Sequence, residues 1–133
     1  MLNIRIQKLG DTTVLRCVGQ ITFPHAAVLR TLTLPEPHPR RLVLDLANIT
    51  GMDAAGLGVL VSLRSWATQS GGTFKLMNVN FKIGSLLELT NLKSAFEICS
   101  AREMLDLLCR ALHAPEVEAF VPPHQEFAAP ASY

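Results

Sequence analysis

The chain has 133 residues, 49% of them hydrophobic and 17% charged, which is enough for one packed core and too little for two comfortable domains. Twelve Lys and Arg against 11 Asp and Glu leave a formal +1. That balance excludes the dense positive surface that binding to a phosphate backbone demands, so no nucleic acid partner is expected.

The charge is unevenly placed. All 12 basic residues and eight of the 11 acids lie in residues 1–112, while Glu116, Glu118 and Glu126 are the only charges in 113–133, so a +4 body precedes a −3 tail. Cys17, Cys99 and Cys109 are an odd number without a CxxC or Cys/His cluster, which argues against a disulfide framework and a zinc site and fits a reducing cytoplasm. No apolar run reaches the roughly 18 residues of a membrane span, and the opening Met-Leu-Asn-Ile-Arg-Ile-Gln lacks the apolar centre of a secretory signal. A cytoplasmic protein with no direct membrane insertion is expected.

In chain order, Leu2–Gln7 alternates apolar and polar residues, Gly10-Asp11 supplies a tight turn, and Thr13–Val18 resumes as a strand, predicting a hairpin. Three prolines in residues 34–39 predict an extended loop. Arg41–Leu46 is a short, nearly continuous apolar run, as expected of a central strand covered on both faces. Asp53 is placed to cap a helix from Ala54 to Gln69, stopped by Ser70-Gly71-Gly72. A strand over Thr73–Val79, a helix over Lys82–Leu89, a short edge strand at Phe96–Ile98 and a helix over Ala101–Leu112 follow. Residues 113–133, with four of the eight prolines, read as a flexible Pro/Ala-rich acidic tail, although Val117, Phe120, Val121 and Phe127 are able to dock. The predicted fold is a single α/β domain over 1–112: an N-terminal hairpin, then alternating strands and helices in a mixed, mostly parallel sheet of four or five strands with three or four helices.

Catalytic constellations are missing their parts. Gly56-Leu57-Gly58-Val59-Leu60-Val61 has two glycines of a dinucleotide loop but Val61 in place of the third, and the Gly-Lys-Ser/Thr ending of a P-loop is absent, so no cofactor is expected. The glycines read instead as a close approach of the helix start to another backbone. His25, His38, His113 and His124 fall in loops or the tail without a nucleophile or metal partner, and no metal site is expected. Asp45 and Asp53 flank the expected strand end, where open α/β sheets place their sites, but capping explains them better than acid–base work. Asp53 followed by Ala54, Ala55, Gly56, Leu57 and Gly58 makes a bare helix start with free N–H groups, a docking edge by shape. Leu57 and Val61 are expected to stand partly exposed beside it.

The segment from Leu42 to Leu60, with Asp45-Leu46, a short loop and Asp53-Ala54-Ala55-Gly56-Leu57-Gly58, resembles the STAS domain, the family of bacterial anti-sigma factor antagonists. Gly19-Gln20-Ile21 and Gly71-Gly72 before a strand are similar to other parts of the family pattern. The resemblance implies an Asp-Ser-Ser-Gly-Leu-Gly motif whose second serine is phosphorylated by a partner that is both kinase and anti-sigma factor. Ala55 stands at that position and Ala54 at the one before, where lipid-transporter relatives keep Thr, so neither carries a hydroxyl. Thr22 replaces the family's Asp, and Pro24 interrupts the helix that should follow.

These features together predict a non-catalytic interaction module that binds an anti-sigma factor or switch-kinase-type regulator through Asp53–Gly58 and Val61. Phosphorylation at the usual site would be unavailable to it. A STAS subunit of a membrane lipid transporter complex or a scaffold assembly is the alternative, and self-association into a homo-oligomer is compatible with either. A small-ligand binder using Asp45, Asn48 and Asp53 is the different-class rival.

Overall fold

A computed structural model describes residues 2–23, 26, 29, 40–69 and 71–112, and the backbone of 116–120. Strand β1 (Leu2–Leu9) and β2 (Thr12–Ile21) pair antiparallel around the two-residue turn Gly10-Asp11, with Leu9 opposite Thr12 and Gly10 at φ +67, a conformation glycine adopts without strain. Strand β3 (Arg41–Met52) runs parallel to β2, β4 (Thr73–Met77) parallel to β3, and β5 (Glu97–Ile98) parallel to β4. The sheet order is β5-β4-β3-β2-β1-β6, where β6 (Glu116–Phe120) lies antiparallel to β1 at the outer edge. The hairpin and the mostly parallel sheet are as expected.

The sheet is one strand larger than expected, because β6 lies inside the segment read as a tail. Prolines at 115, 122 and 123 obscured it; they bound a five-residue strand without interrupting it. Residues 121–133, the rest of that segment, lie outside the described residues, as do the four histidines.

Two layers cover the sheet. Helices α1 (Ala54–Gln69) and α2 (Phe81–Leu89) bury Leu57, Leu60, Leu63 and Ala67, and Ile83 and Leu87, against one face, where Leu2, Ile4, Leu15, Cys17, Leu42, Leu44, Leu46, Phe74 and Leu76 form the larger core. A 3-10 turn at Lys93–Ala95 brings Phe96 in edge-on to Phe74, with ring centroids 6.1 Å apart. Helix α3 (Ala101–Ala111) covers part of the other face with Met104 and Leu107 over Leu9, Val14, Val43, Met77 and Cys99. Each fully buried Leu or Ile stabilises the fold by about 2 kcal/mol. Cys17 and Cys99 are buried and Cys109 is exposed; all three are free thiols. Burial, followed by the charge of Asp45, pushes the Cys17 thiol up to about 12.

β3 continues six residues past the expected Leu46, to Met52. Asp45 therefore sits mid-strand and not at a strand end. It is 8% exposed, accepts hydrogen bonds from Ala47 N (3.0 Å) and Asn78 Nδ2 (3.0 Å), and pairs with Arg16 Nε at 3.5 Å. These bonds tie the end of β4, where Asn78 turns the chain at φ +58, to the middle of the sheet. Among the described residues no helix is long and apolar enough to cross a membrane.

Candidate functional site

The start of α1 is fixed by one side chain. Asp53 Oδ1 accepts from Gly56 N at 3.0 Å, its carbonyl oxygen accepts from Leu57 N at 3.0 Å, and its Oδ2 reaches out of the helix to accept from Phe23 N at 3.1 Å. The expected N-cap is present and also holds the chain leaving β2. The Gly56 N–H, then that of Phe23, holds the Asp53 carboxyl below the ordinary carboxylate range. The expectation of free N–H groups at this start is corrected accordingly: the negative charge that suits a helix N-terminus is the chain's own.

Gly56 has the packing role expected of it. A Cβ built there would stand 2.0 Å from the Ile21 carbonyl oxygen and 2.7 Å from Met52 Cγ, so the first turn of α1 lies directly on the end of β2. Gly58 differs, since its added Cβ would meet nothing within 4 Å. It lies on the outward side of the helix with Ala54, while Ala55 is half-buried and packs against the core.

Val61 stands 40% exposed as expected, but Leu57 is 7% exposed and belongs to the core. Leu57 shares the Gly56 side of the helix, whereas Ala54, Gly58 and Val61 follow the i, i+4, i+7 spacing of a single outward stripe. Nearby, Phe23 is 78% exposed on the loop that Asp53 holds, a residue the sequence reading passed over. Its only sequence signal is a large aromatic just after a strand. The far side of the site is closed by Lys82, whose Nζ donates to Thr50 O at 3.1 Å, and by Asn80, whose Nδ2 donates to Ile49 O at 3.1 Å, so α2 is clamped to the end of β3. The Thr50 hydroxyl donates to Gly19 O at 3.2 Å.

The rival cluster does not assemble. Seven residues of chain, most of them extended, separate Asp45 from Asp53, a spacing of roughly 25 Å at strand rise. Asn48 lies between them, exposed. Among the described residues no three His, Cys, Asp or Glu side chains converge as a metal site would require.

Residues 3–104 match the STAS domain family. The chain belongs to it. The anti-sigma-B factor antagonist of Bacillus subtilis is 27% identical over 103 residues, covering 77% of this chain and 94% of the relative. The anti-sigma F factor antagonist of Paenibacillus polymyxa is 27% identical over 95 residues, or 68% of this chain and 80% of the relative. The crystal structure of an anti-sigma factor antagonist from Mycobacterium paratuberculosis shares the fold with a TM-score of 0.68 at 18% identity, over 80% of this chain and 93% of that one. Both of these relatives carry the name of anti-sigma factor antagonists.

Proposed function

We propose that this STAS chain binds an anti-sigma factor of the switch-kinase type through the start of α1, without catalysis of its own, and that it is not switched by phosphorylation there. The observation that carries the reading is the outward stripe of Ala54, Gly58 and Val61, positions too short-chained to hold a partner backbone away, with the exposed Phe23 on the loop that Asp53 holds. Asp53 fixes the loop and the helix start relative to each other, so the surface is formed before a partner arrives and ordering it costs little on binding. Ala55 offers no hydroxyl at the position the family resemblance assigns to phosphate. The charge of about −1.5 to −2 that would break such a contact therefore cannot be added at that residue.

The test is titration with the purified anti-sigma kinases of the source organism, followed by incubation with ATP. Binding is expected, with Val61→Asp weakening it by at least about tenfold, as for a residue at the centre of an interface. Wild type should take up no phosphate, and Ala55→Ser should become a substrate. Absence of binding to every such kinase, full affinity in the Val61→Asp variant, or phosphate on Thr50 or Ser62 of the wild type would each overturn the reading.

A further inference from the structure

The family match ends at residue 104, inside α3, and β6, which begins at Glu116, lies beyond the matched residues. In the sheet order β1 has β2 on one side and β6 on the other. Without β6, the outer row of N–H and C=O groups of β1 would be an open sheet edge, able to pair with any extended segment of suitable pattern.

The pairing matches charge at its centre and apolar residues on either side of it. Arg5 stands opposite Glu118, Gln7 opposite Glu116, Ile6 opposite Val117, Ile4 opposite Ala119 and Asn3 opposite Phe120. Ile4 and Ile6 lie on the large-core face of β1, and Val117 and Ala119 fall in register with them, whereas Phe120 falls opposite Asn3. The charged residues of β1, Arg5 and Lys8, are both basic, and those of β6 are both acidic. Self-pairing of two β1 strands centred on Arg5 would set arginine against arginine, which is unfavourable. An alternating acidic strand suits this edge and a second copy of β1 does not.

We propose that the outer edge of β1 is a docking site for extended partner segments with glutamates at alternate positions, and that β6 is the chain's own occupant of it. A partner segment binds by taking the place of β6, with Arg5 selecting for acid at the central position. The site is separate from the start of α1: β1 lies two strands away from β3, which leads into Asp53.

The experiment uses the full chain carrying Val117→Pro and Ala119→Pro, which removes N–H groups from β6 and breaks its ladder with β1. The probe is a labelled peptide of residues 115–120, Pro-Glu-Val-Glu-Ala-Phe, followed by fluorescence anisotropy. Saturable binding to the proline variant is expected, with wild type at least about tenfold weaker because its tethered strand competes at high effective concentration. Arg5→Glu in the proline variant should weaken the peptide about fivefold, and a peptide with both glutamates changed to lysine should bind that variant and regain the lost affinity. A folded proline variant that ignores the peptide, that binds it no better than wild type, that is indifferent to Arg5→Glu, or that dimerises through β1 and excludes the peptide would overturn the proposal. Should the proline variant not fold, the Glu116→Lys, Glu118→Lys chain provides the same comparison. Faster hydrogen exchange of the β1 amides, with peptide uptake, is then expected, and exchange as slow as in wild type would overturn the proposal.

Discussion

The starts of α1 and α3 are both capped by a side chain, and the two caps do different things. At α3 the arrangement is local: Ser100 Oγ accepts from Glu103 N at 3.1 Å and Glu103 Oε1 accepts from Ser100 N at 2.8 Å, a reciprocal box, with the other Glu103 oxygen paired to Lys75 on the sheet below. At α1 one carboxylate serves the helix through one oxygen and the end of β2 through the other. The first device stabilises a helix. The second fixes the relative position of two segments that together form a surface, so losing it should affect recognition as well as stability.

That contrast can be broken most forcefully at the glycines. Gly56→Ala should lose about 3 kcal/mol, since the methyl must displace main chain at Ile21, and should carry partner affinity down with it. Gly58→Ala, two residues on and facing open space, should gain up to about 1 kcal/mol from helix propensity. Urea unfolding of the pair checks both, and equal effects would mean that the helix start does not lie on β2 as described.

A smaller effect separates the caps themselves. Asp53→Ala and Ser100→Ala should each lose about 1 kcal/mol of stability, but only Asp53→Ala should also weaken partner binding. Comparable binding losses in the two variants would erase the distinction.

The smallest effect is in acid. Asp53 and Glu103 are both held below the ordinary carboxylate range, Asp53 chiefly by the Gly56 N–H and Glu103 chiefly by the Lys75 ammonium. A carboxyl depressed by folding contributes stability above its unfolded pKa and loses it as pH falls through the folded value, so the decline should begin at about pH 5, where the unfolded carboxyls start to take up protons. Asp53→Asn and Glu103→Gln should each flatten part of that decline, and the double variant more of it, in unfolding curves between about pH 3 and 6.

What the sequence made legible was whatever is written locally. The hairpin turn at Gly10-Asp11, the apolar run of β3, the Asp53 cap and the packing role of Gly56 all depend on residues within a few positions of one another. Three features were hidden because distant partners decide them. β3 runs on through Asn48, Thr50 and Gly51, polar or bare residues that break strand periodicity but pair with the end of β2 across two irregularities, at Arg16/Val18 and Gly19/Gln20. Leu57 lies in a helix that is apolar on more than one side, so spacing alone did not separate it from Val61, and only its burial in the larger core does. β6 was masked by its prolines and glutamates, and its pairing partner lies more than 100 residues earlier, at the other end of the chain.

The distribution of the cysteines has a practical consequence. Two of the three thiols sit inside the two cores, one of them pushed up to about 12, and the third, Cys109, is exposed on α3. A thiolate-directed dye at neutral pH should therefore attach at a single position, on the helix that covers the sheet face opposite α1. The unaltered chain thus carries its own labelling point, away from the helix start proposed for recognition.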